Sequence, residues 1–442
     1  MQRLFGKEPL HRNPLVSGYV SCCKGNFCLA VYLYVDFFIY FCMYKLIIIY
    51  NPYIMKARQL LYFFISIILL LPIASCSPES DDEKTTGQTV VMFFPWSTNL
   101  QSDFKRNIRE FSSVIARCGL NGERVVVCFA TSHNTAVVYE LKPSHGRCLA
   151  DTLRRYYNRT FTTRSSLASL FSDIKSLAPA ERYGMVLGSH GMAWLPVDDS
   201  SRMRRIARHY DKGGLLKTRY MGGLTSDCQI ETSNFAGALQ DAGLTLEYLL
   251  FDNCYMSSVE VAYELKDVVQ YMIASPTEIM SEGFPYSECG EFLLGNFDCT
   301  KVAEKFVDYY SRSDQPYATV AVIDLSQMDA LAQIVKKINE QCGENVVAQN
   351  DIQTMDGYTP SLFLDFGHYI TLKCTSSELI DSFEQQLDKT VIFKAHTEKY
   401  FSAMCGSVPI AHYSGLNTSE PSKNPLSSAY SHTAWYAATH QK

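Results

Sequence analysis

The stretch YLLFDNCYMSSVEVAYELKD, residues 248–267, decides the fold class of this 442-residue chain. It starts as an apolar run of strand length, turns at Asp252-Asn253-Cys254, and continues with apolar residues at helical spacing. A buried strand that passes into a helix is the repeating unit of a parallel sheet covered by helices. A cysteine therefore stands at the turn that ends a buried strand.

The same alternation extends along most of the chain. Further apolar runs of strand length are TVVMFF at 89–94, ERVVVCFA at 123–130, TAVVYEL at 135–141 and RYGMVLGSHG at 182–191. Segments with helical spacing lie between them, as in SLASLFSDIKSLAP at 166–179. The pattern predicts an α/β fold, with a mostly parallel sheet sandwiched by helices.

The alternation defines a main domain and becomes less clear towards the C-terminus. It predicts the main domain over 89–298 and a smaller C-terminal subdomain over 299–442. The interval from Trp194 to Asp227 is rich in basic residues and glycine, which predicts an exposed loop.

The composition is that of a folded protein without a basic excess. Hydrophobic residues make up 47% and charged residues 19%, and the formal net charge is -5. Proteins that bind nucleic acid by neutralising phosphates carry a positive excess. The composition therefore predicts a protein or small-molecule partner and no nucleic acid.

The 15 cysteines form no Cys-x-x-Cys pair, which disfavours a zinc ribbon or a thioredoxin-like site. Most of those in the main body are expected to be small buried hydrophobes. The acids at Asp198, Asp199 and Asp227 are too few and too spread for a calcium site. The sequence predicts no metal and no cofactor.

Residues 55–76, MKARQLLYFFISIILLLPIASC, have the layout of a secretory signal peptide: a short basic start, an apolar run and small residues before a cysteine. The ending resembles a bacterial lipobox, which implies lipidation of Cys76 and a membrane attachment through an N-terminal lipid anchor. The polar, acidic segment 77–88 is predicted to be a flexible tether. We therefore expect an exported bacterial lipoprotein at the cell envelope or cell surface.

Residues 1–54 precede this signal and allow two interpretations. Met55 is the true start and the upstream segment is a start-site artefact, or the apolar run at 28–50 is a genuine transmembrane helix, being long enough to span a bilayer. Because a signal peptide belongs at the N-terminus, the artefact is the preferred interpretation.

His190 and Cys254 each follow a predicted strand. Reactive groups in open α/β sheets collect at the carboxyl ends of the strands, so both residues are expected at the same edge. A helix N-terminus and a nearby imidazole both favour the nucleophilic thiolate, and Cys254 is expected to stand just before a helix. The alternative is structural: Cys254 packs as a buried thiol and His190 caps a turn.

Three ordered motifs carry a family resemblance: LGSHGMAW at 187–194, FDNCYMSSVEVAYELKD at 251–267 and IASPTEIMSEGFPY at 273–286. Together they resemble the clostripain family of cysteine peptidases. The tail AYSHTAWYAATH at 429–440 is similar to the family's C-terminal segment. The resemblance implies a caspase-like fold and an endopeptidase that cleaves proteins or peptides after Arg or Lys.

The resemblance also implies roles for particular residues. Cys254 is the nucleophile, and His190 is the proton-transfer partner that completes a dyad. The backbone N–H groups of Gly191 and Cys254 form the oxyanion hole. Asp252 binds the basic side chain of the substrate, with Glu282 as a second candidate. Against this, an Asp at a strand end is often only a turn or cap residue.

Family members are often made as inactive precursors and cut between the histidine and the cysteine. The interval 202–219 is basic, with Arg202, Arg204, Arg205, Arg208, Lys212, Lys217 and Arg219. The resemblance predicts self-cleavage there, near Arg204 or Arg205; the alternative is a solvated loop that only aids solubility. The remaining rival for the whole chain is a non-catalytic caspase-like binding module on a surface lipoprotein.

Overall fold

The computed structural model describes residues 86–96, 98–197, 221–222, 228–343 and 345–440. All of them belong to one compact unit, residues 83–442. Residues 1–54, the predicted signal peptide with Cys76, most of the predicted tether and the basic interval 202–219 lie outside the described residues. None of the described helices combines the length and apolar content needed to cross a bilayer.

A nine-stranded sheet forms the centre of the molecule, in the order β12-β10-β9-β8-β5-β1-β2-β3-β4. Strands β9, β8, β5, β1 and β2 run parallel, and antiparallel pairs extend the sheet at both edges. The strands are β1 Thr86–Phe94, β2 Glu123–Ser132, β3 Thr135–Ser144, β4 Arg147–Tyr156, β5 Ala180–Gly188, β6 Met221–Gly222, β7 Gln229–Ile230, β8 Leu246–Asp252, β9 Val269–Ala274, β10 Thr319–Asp324, β11 Leu364–Asp365, β12 Val391–His396, β13 Lys399–Ser402, β14 Gly406–Pro409 and β15 Asn417–Thr418.

Helices cover both faces of this sheet. They are α1 Gln101–Cys118, α2 Arg164–Leu177, α3 Thr232–Asp241, α4 Val259–Leu265, α5 Tyr286–Cys289, α6 Cys299–Ser311, α7 Met328–Cys342, α8 Phe366–Lys373, α9 Ser377–Thr390 and α10 Ala434–His440. Successive residues of β1 enter different cores: Val91 and Phe93 belong to one hydrophobic cluster, whereas Val90 and Met92 belong to the other. Because both faces are buried, the strand is apolar from Val90 to Phe94, and the predicted α/β sandwich is confirmed.

The antiparallel strand β4 was not predicted. Its residues are mostly exposed, so the segment carries no apolar run. The β3–β4 hairpin instead depends on a tight turn in which His145 and Gly146 both have positive φ, 48° and 73°. A strand at the exposed edge of a sheet leaves little hydrophobic pattern to detect.

The segment 299–442 shares the sheet with the main domain. Strands β10 and β12 come from this segment, and β10 pairs directly with β9. The predicted C-terminal subdomain therefore continues the central sheet and does not form a separate compact unit.

The helix after the cysteine begins later than expected. Helix α4 starts at Val259, and Tyr255, which follows Cys254, has a φ of 63°. The N–H of Tyr255 donates to the carbonyl of Thr277 at 2.9 Å, so the chain forms a loop before the helix. The expectation that Cys254 stands at a helix N-terminus is therefore wrong, because four residues separate it from the start of α4 at Val259.

Candidate active site

The site lies at the carboxyl edge of the parallel strands β5 and β8. Gly188 and Asp252 are paired at the last register position of these strands. His190 and Cys254 therefore leave the same edge side by side. Both line one pocket of about 270 Å³, together with Asp252.

The imidazole of His190 is buried and contacts a residue that the sequence did not single out. Its Nε2 atom lies 2.7 Å from Oδ1 of Asn99. With that amide oxygen as acceptor, Nε2 carries the proton, and Nδ1 is the ring atom that we assign to proton exchange. Asn99 follows β1, the strand next to β5. Its place beyond a strand end was the only sequence signal that could have identified it.

The thiol of Cys254 is buried in the same pocket. The N–H of Ile279 donates to its Sγ atom at 3.4 Å, and Sγ lies 3.9 Å from the carbonyl oxygen of Ile279. The Ile279 peptide therefore contacts the sulfur through its N–H as donor and its carbonyl as acceptor. The loop after β9 thus holds the Cys254 side chain in the pocket.

Asn253 ties the histidine and cysteine loops together. Its Nδ2 atom donates to Oγ of Ser189 at 2.6 Å and to the carbonyl of His190 at 3.2 Å. The N–H of Gly222 donates to the same Ser189 hydroxyl at 3.0 Å. The backbones of His190 and Gly222 also pair as a β-bridge, with N–H to carbonyl distances of 3.2 and 3.4 Å. Gly222, which follows the basic interval 202–219, is thus connected directly to His190.

Gly191 packs backbone to backbone against the cysteine. A Cβ atom at this position would lie 2.3 Å from the carbonyl oxygen of Cys254 and 3.1 Å from its nitrogen. No side chain fits there. The close approach brings two peptide groups together, as two converging amide donors of an oxyanion hole require.

Asp252 is a buried carboxylate in the wall of the pocket. The Tyr286 hydroxyl donates to its Oδ2 atom at 2.9 Å. Burial raises the pKa of Asp252 to about 7, against the lowering effects of Tyr286, the Phe284 amide and the Arg106 charge. Gly283, with a φ of +71°, leaves room for the carboxylate, because a Cβ there would lie 2.6 Å from Oδ2. A bound cation would relieve this desolvated charge.

Glu282, the second candidate for a basic side chain, lies elsewhere. Its side chain is exposed and is not among the residues that line the pocket. Its carbonyl accepts a 2.9 Å hydrogen bond from Nδ2 of Asn107. The backbone of Glu282 therefore holds the pocket wall, while its carboxylate faces solvent.

A hairpin from the C-terminal part of the chain borders the pocket. Phe401 of β13 lines it, and so does Glu278. The Glu278 carboxylate accepts hydrogen bonds from Tyr255 Oη at 2.8 Å, Ser402 Oγ at 2.8 Å and the Ala403 N–H at 3.1 Å. The hairpin β13–β14 is therefore fixed to the loop that carries Cys254.

Asn417 of strand β15 holds the chain after Cys254 through hydrogen bonds from its side chain and its backbone. Asn417 donates from Nδ2 to the carbonyl of Pro276 at 2.8 Å and to that of Tyr255 at 3.3 Å. Its backbone N–H donates to the carbonyl of Ser257 at 2.8 Å. Phe363 stacks on the Tyr255 ring with centroids 4.8 Å apart. Sequence reasoning missed this support, which joins residues far apart in the chain.

A cysteine and a histidine at neighbouring ends of parallel strands, around a pocket with a buried carboxylate, define a cysteine peptidase on an α/β sheet. The model of the Clostripain family, Peptidase C11, matches residues 119–411. The chain belongs to the clostripain family of cysteine peptidases, as its three motifs predicted.

Solved structures of the same family are similar over most of the chain. A secreted C11 cysteine protease from Bacteroides thetaiotaomicron, iotapain, is 40% identical, with a TM-score of 0.75, over 80% of this chain and 100% of its own. An inactive zymogen C11 protease from Parabacteroides distasonis is 27% identical, with a TM-score of 0.69, over 81% and 99%.

A third structure shares only part of the chain. A Bacteroides thetaiotaomicron clostripain in complex with the peptide inhibitor BTN-VLTK-AOMK is 43% identical, with a TM-score of 0.50, over 50% of this chain and 100% of its own. Among curated protein sequences, no match was found.

Proposed function

We propose that this cysteine peptidase is an endopeptidase that cleaves after Arg or Lys, with Cys254 and His190 as its dyad. One observation carries the proposal: both side chains and the buried Asp252 line a single pocket. The pocket therefore joins a nucleophile, a proton carrier and a site for a positive charge.

The proposed reaction uses Cys254 as nucleophile and His190 first as proton donor and then as proton acceptor. The Cys254 thiolate attacks the scissile carbonyl carbon, and the oxyanion accepts hydrogen bonds from the N–H groups of Gly191 and Cys254. The C–N bond breaks as the protonated His190 donates its proton to the leaving amine. Water then hydrolyses the thioester, with His190 accepting a proton, and the thiolate is regenerated.

Specificity for a basic side chain is assigned to Asp252. The carboxylate is buried, so its charged form lacks water and is stabilised by an incoming ammonium or guanidinium group. The inhibitor bound to the Bacteroides thetaiotaomicron clostripain has the peptide part VLTK, which ends in Lys. Glu282 remains a second candidate that reaches substrate only at the rim of the pocket.

Activation is assigned to self-cleavage in the interval 202–219, at Arg204 or Arg205. The β-bridge between His190 and Gly222 supports this proposal. A cut upstream of Gly222 would leave β6, the strand that pairs with the histidine, close to a new chain end. The Parabacteroides distasonis structure is that of an inactive zymogen, so a precursor form exists in the family.

Export is assigned to the signal at 55–76, with lipidation at Cys76 and attachment to the cell envelope or surface. The sequence layout supports it. Iotapain is described as secreted, which is consistent with export of this chain.

The test compares the full-length wild type with Cys254→Ala and, as a control, Cys118→Ala, an exposed thiol at the end of α1. Each protein is assayed with peptides that carry Arg, Lys or a neutral residue before the scissile bond, and is run on a denaturing gel. We expect cleavage of basic peptides and a split into two chains for wild type and Cys118→Ala only.

Two other results would count against the proposal. If Cys254→Ala cleaves as well as wild type, Cys254 is not the nucleophile. If all three proteins stay intact and inert, even after a trial cut by trypsin, the non-catalytic binding module replaces the endopeptidase.

A further inference from the structure

We propose that Cys342 and Cys374 form a disulfide in the exported protein. Their Sγ atoms lie 3.3 Å apart, and both side chains are buried. A disulfide has an S–S length of about 2.05 Å, so the sulfurs must approach by roughly 1.2 Å. The two thiols already face each other in the fold.

Both cysteines sit where the chain can make this adjustment. Cys342 is the last residue of α7, and Cys374 directly follows α8. Helix ends fray more readily than helix interiors, so a small rotation at each end costs little. Asn345 donates from Nδ2 to the carbonyl of Lys373 at 2.9 Å, which keeps the two helix ends together.

The two thiols are chemically unequal. Contacts with the Thr375 amide lower the pKa of Cys342, and burial raises the pKa of Cys374. Cys342 is therefore the better attacking thiolate in an exchange with an external disulfide. In dithiols that exchange in two steps, one thiol likewise has a lower pKa than the other.

The reaction needs a disulfide oxidant, RSSR, which an exported chain meets outside the cytoplasm. The Cys342 thiolate attacks one sulfur of RSSR and forms a mixed disulfide, releasing one RSH. The Cys374 thiolate then attacks the Cys342 sulfur and releases the second RSH. The two cysteines lose two electrons and two protons, and RSSR is reduced to two thiols. Because both sulfurs are buried in the finished fold, we assign the reaction to the folding chain, after the ends of α7 and α8 have come together.

The bond would constrain the support of the nucleophile loop. It closes the chain between Cys342 and Cys374, which contains Phe363, and Phe363 stacks on Tyr255 beside Cys254. Closing a loop restricts the unfolded chain, so local opening of this support becomes rarer. The expected effect is slower loss of activity on heating, without a change in the chemistry of the pocket.

The first test measures the bond itself and needs no activity. Cells that export full-length Cys254→Ala protein are quenched in acid, and free thiols are alkylated in denaturant before peptide mapping. We expect the Cys342 and Cys374 peptides to be joined and lighter by two hydrogen atoms than the dithiol, while the Cys128 peptide is alkylated. Alkylated Cys342 and Cys374 peptides, both from cells and after refolding with glutathione, would overturn the disulfide.

Export is itself part of the proposed function, so a second sample separates failure of export from failure of the disulfide. The same protein is refolded from denaturant with oxidised and reduced glutathione. A joined pair after refolding, with an alkylated pair in cells, supports the disulfide and counts against export. An alkylated pair in both samples counts against the disulfide alone.

A variant cycle tests the consequence. Cys342→Ser, Cys374→Ser and the double variant are each unfolded in urea, with and without dithiothreitol. If the bond exists, all three unfold at the same lower midpoint, and dithiothreitol lowers the midpoint of wild type only. If the cysteines act only by packing, the single effects add up in the double variant, and dithiothreitol changes nothing.

Discussion

The Nε2 atom of His190 and the Oδ1 atom of Asn99 are 2.7 Å apart, so the His190 ring is held by a residue that follows a different strand. Asn99 reaches the ring from the turn before α1. In the proposed reaction it acts through His190, and we therefore describe it as a positioning residue.

Replacing Asn99 by Ala is expected to lower kcat roughly tenfold to hundredfold, because a lost hydrogen bond of about 1–3 kcal/mol no longer fixes the ring. KM should change little. Gln101→Ala, at the start of α1, is the control. Asn99→Asp restores an acceptor and should recover part of kcat, with the alkaline limb of the pH profile shifted upwards, because a carboxylate stabilises the protonated ring. Equal loss of kcat in both Asn99 variants, with an unshifted profile, would indicate a structural role only.

Replacing Asp252 by Asn should reduce kcat/KM for Arg and Lys peptides by about 30-fold or more, because an incoming cation loses its buried partner. Peptides with a neutral residue at that position should be affected far less. Glu282→Gln is the matched control, since its carboxylate is exposed and outside the pocket lining. If the Glu282 variant shows the selective loss instead, the basic side chain is recognised at the rim.

The raised pKa of Asp252 gives a pH dependence with a definite sign. Burial raises this pKa to about 7, so the carboxyl group of the free enzyme is protonated below that pH and charged above it. A basic substrate binds the charged form, and KM for Arg peptides should therefore rise as pH falls through about 7. In Asp252→Asn this part of the profile should be absent. A KM that is flat between about pH 6 and 8 in wild type would contradict the assignment.

Asn417→Ala is expected to destabilise the protein by about 1–3 kcal/mol, because the buried carbonyls of Pro276 and Tyr255 lose their donor. Urea unfolding measures this loss, with the exposed Asn121→Ala as control. The variant should also show a lower kcat, since the same amide holds the chain after Cys254. A normal urea midpoint would remove Asn417 as a support.

Glu420 should make stability depend on pH at the acid end. Burial alone would raise its pKa, but hydrogen bonds and charges from His440 and Lys373 lower it to about 2. Its carboxylate accepts from Lys373 Nζ at 2.8 Å, with both side chains buried. A lowered pKa stabilises the fold above the unfolded value near 4.5, and this stabilisation is lost as pH falls towards 2.

The test variant is Glu420→Gln. The control is Glu384→Gln, which replaces an exposed carboxylate of α9. At pH 7 the first should lose about 3–5 kcal/mol of unfolding free energy, because Lys373 keeps a buried charge without its partner. The difference in unfolding free energy between Glu420→Gln and wild type should shrink as urea unfolding is repeated at lower pH. A difference that is the same at every pH would show that packing, and not charge, explains the loss.

The placement of His190 and Cys254 could be predicted because it follows from local pattern. Both follow apolar strands, and parallel strands present their carboxyl ends at one edge of the sheet. The start of α4 could not be predicted in the same way. The positive φ of Tyr255 is held by a hydrogen bond to Thr277, which belongs to another strand's loop.

Asn99 and Asn417 could not be found from the sequence for a related reason. Each is a single polar residue in a short, irregular segment, and its role depends on a contact across the folded molecule. Only the folded molecule, with its sheet assembled, brings these amides to the histidine and cysteine loops. The candidate dyad could thus be predicted from the sequence, whereas the residues that support it can be recognised only in the tertiary structure.

The support from β15 has a consequence for the time at which the peptidase is completed. During translation Cys254 and His190 leave the ribosome well before Asn417, so a growing chain carries both residues without the amide that holds the loop after Cys254. A chain that stops before β15 keeps the candidate dyad and lacks this hydrogen bond. The support of this loop is therefore completed only near the end of synthesis.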